Sequence, residues 1–288
     1  MNAEAAGRAA AEQFRQEHHL GVQPLGDLVA VIEQSTGIDV AVLDVGPDEH
    51  GLAMRDAGRD VVIIGVARTQ NPMRQRSTLA HELCHVLSED WADISTTDRG
   101  DRTPQEIRAD AFARHLLVPI EGLHEILQPR TTIAPHDLSA VVQRFLVSPA
   151  IAAIALQQAG YIDESTKLQW MSLSAPQVAT RFGWTDQYQT LQAASDRRRA
   201  PQRLLARAIR GYAEAVVSAQ TIATLRDVPL EIAAAELLEA DVVPVEHFVP
   251  WTDPAELPDA DVDLLAFDDA LNAPDYDEDR EQSEHDKR

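Results

Sequence analysis

The pentapeptide His81-Glu82-Leu83-Cys84-His85 decides how this chain is read, and it sits in a stretch, Pro72–Ser88, that reads as a helix. On a helix, residues four apart share one face at roughly 5–6 Å. Two imidazoles so placed can converge on one zinc ion, whose bonds to nitrogen are about 2.0–2.1 Å. Glu82 lies beside that face, within reach of a water it could deprotonate. The alternative is a chance match on an ordinary amphipathic helix, and the presence or absence of a third ligand downstream decides between them.

The position of that third ligand also separates the classes of zinc peptidase. One class continues with Gly at 88 and His at 91; here those are Ser88 and Trp91, so it is excluded. A second class takes Glu from another helix some twenty residues on, commonly with Asp four positions later. Glu106-Ile107-Arg108-Ala109-Asp110 supplies both, with Glu106 placed 21 residues after His85. Thr103-Pro104-Gln105-Glu106 opens that helix with a capping Thr, a Pro at the first helical position and an acid in the first turn. Glu106 and Asp110 share a face, so one can coordinate zinc while the other accepts a hydrogen bond from a ligand histidine and fixes its tautomer. Spacing favours Glu106 as the ligand and leaves the exchanged assignment open. A solvated acidic face is the third reading, but Ala111, Phe112, Leu116 and Leu117 require this helix to pack against something.

Working outward, residues 3–19 and 24–36 read as helices, the second ended by Gly37. The period then changes to two. Ile38–Val45, Leu52–Ala57 and Val61–Val66 read as three short strands, expected as a meander. Downstream, the second-ligand helix stops at Val118-Pro119, and Asp137–Phe145 and Ser148–Gln158 form two short helices joined at Leu146-Val147. From about 173 to 243 the pattern is wholly helical, broken at Ser174, Gly183, Pro201, Ser218 and Pro229. Thr252–Arg288 carries 14 acidic and 3 basic residues and is expected to be a disordered tail.

These motifs resemble the ImmA/IrrE metallopeptidases. The resemblance is carried by Arg76-Ser77-Thr78-Leu79-Ala80-His81-Glu82-Leu83-Cys84-His85-Val86-Leu87 and by Glu106–Asp110 followed by Ala111-Phe112-Ala113-Arg114-His115-Leu116-Leu117-Val118-Pro119. The strand Asp60–Ala67 and the helical pair around Phe145-Leu146-Val147-Ser148 match the family's layout, so about residues 8–165 are covered. The sequence departs from the family pattern at Ser77, where an aromatic is usual, at Cys84, where a small residue is usual, and at Asp110, where Asn is frequent. None of these removes a ligand. The resemblance implies a zinc-dependent endopeptidase that cleaves a helix-turn-helix transcriptional repressor and so releases phage, mobile-element or stress-response genes. Carried over, His81, His85 and Glu106 bind one zinc per chain, Glu82 is the catalytic base and Asp110 orients a ligand.

Composition narrows the field further. The chain of 288 residues has 25 basic and 47 acidic residues, a formal charge of −22. That argues against a general grip on nucleic acid or anionic lipid, since neutralising phosphates needs a basic face. Pro149–Gly160, the second helix of the pair, has no Lys or Arg, so packing or partner docking is expected of it rather than DNA reading. Arg197-Arg198-Arg199, with Arg203, Arg207 and Arg210, reads as a solvated helix start. The single cysteine, Cys84, excludes a disulfide framework and a cysteine-rich zinc module, and it reads as a small buried thiol. Residues 1–20 lack the apolar core of a secretory signal, which points to a cytoplasmic protein.

The expected architecture is therefore α+β: a minimal zincin-like metallopeptidase domain over 1–130, with a small sheet packed on helices, then a helical extension over 131–172. An all-helical region over 173–248 and an acidic tail over 249–288 complete the division. The rival function is a non-catalytic antirepressor that sequesters a regulator around a structural zinc. A structural site closes with four ligands and needs no base beside it, so Glu82 separates the two readings.

Overall fold

The computed structural model describes residues 2–46, 51–56, 58–59, 61–90, 103–127, 133–246 and 253. The acidic-tail expectation, apart from Asp253, lies outside the described residues. The fold is α+β, with most of the described chain helical around a small mixed sheet.

Strands β1 (Asp39–Leu43), β2 (Gly51–Asp56) and β3 (Val61–Ala67) lie in the order β1-β3-β2. β3 pairs parallel with β1, Val40 opposite Ile64, and antiparallel with β2, Ala53 opposite Ile64. The expected meander is thus corrected, and the reason lies in composition. A meander would put β2, with Arg55 and Asp56, in the centre. The sheet instead centres β3, Val-Val-Ile-Ile-Gly-Val-Ala, whose Ile64 and Val66 are buried, and leaves the charged strand at an edge.

Two helices support the sheet and the site. α3 (Pro72–Leu87) starts at Asn71, whose side chain caps the Arg74 N–H, and buries Met73, Leu79, Ala80, Leu83, Cys84 and Val86. α4 (Pro104–Leu117) starts as its sequence demands, with the Thr103 hydroxyl accepting from Glu106 N at 3.3 Å and Pro104 next. α1 (Ala3–Glu17) lies along α4, where Phe14 meets Phe112 edge to face at 6.1 Å. Gly7 makes that approach feasible, because a Cβ there would collide with the Arg108 carbonyl. Arg15, 5% exposed, donates to the carbonyls of Leu116, Gly21 and Gln23 and ties the end of α1 to the end of α4. α2 (Leu28–Thr36), capped by Asp27 and ended by Gly37 at φ 71°, leads into β1.

The remaining helices extend the same core. α5 (Ile120–Leu127) begins directly after Pro119, where the sequence reading assigns no element, and buries Leu123 and Leu127. α6 (Pro135–Phe145) and α7 (Pro149–Gln158) turn by 110° at Leu146, which takes φ 55°. α8 (Glu164–Met171), also unassigned from sequence, buries only Trp170. α9 (Ala175–Phe182) and α10 (Thr185–Ser195) complete the core; Trp184 between them donates to Ser139 on α6 at 3.0 Å. α11 (Gln202–Ala213), α12 (Ala219–Arg226) and α13 (Leu230–Glu239) form a smaller cluster around Ile222, Ala223, Ala233 and Leu237. No single helix among the described residues is long and apolar enough to cross a membrane.

Candidate metal centre

α3 and α4 cross so that three donor side chains converge. His81 and His85 project from adjacent turns of α3 with their Nε2 atoms 3.0 Å apart. Glu106, in the first turn of α4, brings one oxygen to 3.2 Å from His81 Nε2 and the other to 3.4 Å from His85 Nε2. One ligand atom from each of these residues lies within 4.8 Å of the other two.

The far side of each ring is held by a carboxylate. Asp110 Oδ1 is 3.0 Å from His81 Nδ1, and Asp90 Oδ2 is 3.6 Å from His85 Nδ1. A proton on Nδ1 facing Asp110 leaves the His81 Nε2 lone pair pointing at Glu106 and at His85. Burial, reinforced by the neighbouring His81, holds the His85 pKa below its ordinary value and so favours the neutral, ligating form. Three electron-pair donors facing one another repel unless a cation lies between them. A tetrahedral zinc with bonds of about 2.0–2.1 Å spaces its ligands about 3.3 Å apart; the two Nε2 atoms lie 3.0 Å apart, and each has a different Glu106 oxygen beside it, at 3.2 and 3.4 Å, close to that edge. The donor set fits zinc in both type and spacing.

Glu82 follows His81 on α3 and lines a cleft of about 450 Å³ with His81, Asp110, Arg114, Ile151 and Ile154. Burial raises its carboxyl pKa, His81 opposes that rise and the Glu106 carboxylate adds to it, so Glu82 holds a proton more readily than a free glutamate. Gly51, at the start of β2, lies against this residue. A Cβ at Gly51 would stand 2.5 Å from Thr78 Cγ2 and 3.0 Å from Glu82 Cγ.

The sequence-derived residues His81, Glu82, His85, Glu106 and Asp110 all gather here. Glu106, rather than Asp110, belongs to the three-donor group, and Asp110 sits on the opposite nitrogen of His81. Residues 33–157 match the family model of the IrrE N-terminal-like domain. The match runs from within α2 almost to the end of α7, and it includes every residue of the donor group and both carboxylates behind the rings. Over this span the chain is similar to the IrrE-like domain of the ImmA/IrrE family, and that similarity supports a metallopeptidase-type function. No curated protein matches the chain.

Cys84 stays out of the IrrE-like site. It is 1% exposed, faces Ser88 at 3.9 Å, and its thiol pKa is pushed up by burial. Sequence reasoning missed two residues of this domain, Asp90 and Gly51. Asp90 follows Glu89, whose φ of 53° turns the chain back after α3 so that Asp90 N bonds the His85 carbonyl and its side chain reaches both His85 and Arg108. A sharp post-helical turn leaves no periodic trace. The one signal at Gly51 is a glycine opening a strand, and its neighbour on α3 could not be read from the chain.

Proposed function

We propose that this protein is a zinc-dependent endopeptidase that cleaves a partner regulatory protein, with a helix-turn-helix transcriptional repressor as the expected substrate. The observation that supports it is the convergence of His81, His85 and Glu106 with Glu82 beside them: among the described residues, three candidate protein ligands and an adjacent base. Zinc bound there would supply Lewis-acid polarisation of a peptide carbonyl and of water. Glu82 takes a proton from the attacking water and returns it to the leaving amine, a shuttle suited to a carboxyl whose affinity for protons burial has raised. Asp110 and Asp90 keep the imidazoles turned toward the metal.

β2 supports the substrate side of this reading. It is an edge strand, mostly exposed, and its Gly51 end lies against Glu82. An extended peptide can add to such an edge through backbone hydrogen bonds, which brings a scissile bond past the site whatever its side chains. Ile151 and Ile154 then offer an apolar wall for a side chain beyond that bond.

The test is Glu82→Gln in full-length protein co-expressed with a candidate repressor. Zinc content and folding should persist, while cleavage falls by at least the roughly 10²–10⁴-fold typical of a lost general base. Derepression by the mutant equal to wild type, with no fragments from either, would show that binding alone does the work.

A further inference from the structure

A second cavity lies behind the metal helix. It holds about 650 Å³, within the range of about 300–1,000 Å³ usual for small-molecule sites. Leu28, Leu79, Leu191 and Leu225 supply an apolar lining, and Arg76, Arg197, Arg198, Arg199 and Arg226 bring five guanidinium groups against one carboxylate, Asp27. This concentration of positive charge stands in a chain of net −22.

The partners of these arginines show where charge is left over. Arg199 is matched by Asp27 at 2.8 Å, and Arg226 by Glu236. Arg76 donates to three neutral acceptors, the carbonyls of Leu146, Gly26 and Leu25. Burial of that charge lowers its pKa to about 10, while Asp27 opposes the fall. Arg198 reaches Asp227 only at 3.9 Å, and Arg197 has no ion-pair partner among the described residues. The backbone of the run is anchored at Arg199. A two-way backbone pairing of Arg199 with Val42, together with Arg203 on Asp39 at 2.8 Å, pins the arginine run to the rim. Arg197, Arg198, Arg203, Arg207 and Arg210 are exposed, as the sequence expectation of a solvated run has it, while the backbone pairing leaves Arg199 half-buried at the rim.

We infer that this cavity binds a small phosphorylated molecule of about nucleotide size, its phosphate held by Arg197 and Arg198 and its body laid on the leucines. Guanidinium groups suit phosphate because their planar N–H pairs meet two oxygens at once. Arg76 adds a charge beneath them. Because Arg76 and Leu79 belong to α3, the occupant touches the helix that carries His81 and His85.

Equilibrium binding of ADP, inorganic pyrophosphate and adenosine to the full chain tests this. The measurements are repeated in His81→Ala, so that chelation at the metal site and failure of the peptidase reading cannot imitate the result. ADP and pyrophosphate should bind, with adenosine at least about tenfold weaker than ADP, the scale of losing one charge-assisted hydrogen bond. Arg197→Gln with Arg198→Gln should weaken ADP by about tenfold or more, whereas Arg207→Gln with Arg210→Gln, away from the cavity, should leave it unchanged. Circular dichroism confirms that both double variants fold. The inference is overturned if neither ADP nor pyrophosphate binds at millimolar concentration, if adenosine equals ADP, or if the two double variants behave alike.

Discussion

Asp110 Oδ1 lies 3.0 Å from His81 Nδ1, on the side of the ring away from Glu106. The two acids of α4, one helical turn apart, thus do different jobs on the same imidazole. Glu106 faces Nε2, the nitrogen turned toward His85, and Asp110 faces Nδ1.

Glu106→Gln should therefore weaken zinc binding more than Asp110→Asn, because one removes a ligand and the other an orienter. The second should cost about 10–100-fold in metal affinity or activity. Zinc titration of apo-protein against a competing chelator measures both. If Asp110→Asn empties the site and Glu106→Gln does not, the two roles are exchanged.

Asp90 stands behind His85 as Asp110 stands behind His81, though at 3.6 Å and shared with Arg108. Asp90→Asn is expected to lower zinc affinity by about tenfold, toward the mild end of the range for such partners. An unchanged affinity would mean that Asp90 serves only to hold Arg108.

Gly51→Val probes the contact between β2 and α3. A side chain there has to displace Thr78 or Glu82. Zinc content should hold, since the ligands do not touch Gly51, while kcat falls by about tenfold or more if Glu82 is moved from its place. Loss of zinc together with activity would indicate that the whole of α3 has shifted.

His115 gives a pH dependence that is independent of catalysis. It is 6% exposed, and burial, aided by Arg114 and Arg8, holds its pKa below the ordinary 6.5. The folded state therefore keeps it neutral, and the unfolded chain binds the extra proton. Stability is fully present above pH of about 6.5 and declines as pH falls below it. Urea midpoints from pH 7.5 to 5.5, in one fixed metal state, should fall more steeply for wild type than for His115→Gln. Parallel slopes would remove His115 as the cause.

The helices that carry chemistry are legible because their signals are local. Thr103 and Pro104 announce α4, and a four-residue interval places His81 and His85 together. Ser174, Gly183, Ser218 and Pro229 mark real ends of later helices for the same reason. The sheet order is not legible, since pairing depends on which strand can bear burial on both faces, a comparison among β1, β2 and β3 rather than a property of any one. α8 escapes notice because only Trp170 of its eight residues is buried, so it carries no apolar stripe. Asp90 and Gly51 matter through what lies opposite them in space, and a sequence holds no record of that.

The pairing of Val42 with Arg199 has a bearing on more than the anchoring of an arginine run. Both backbone groups of Val42 are spoken for, N–H to the Arg199 carbonyl and carbonyl to the Arg199 N–H, so a foreign strand meets an occupied border on the β1 side. Among the described residues, the sheet's other border is β2, and that one is vacant. A sticky border is ordinarily a hazard, since it invites indiscriminate stacking of one molecule on the next. In this protein, among the described residues, the vacant border begins at Gly51, against Glu82, so on the proposed function a strand that strays onto the sheet arrives beside the base that would cut it.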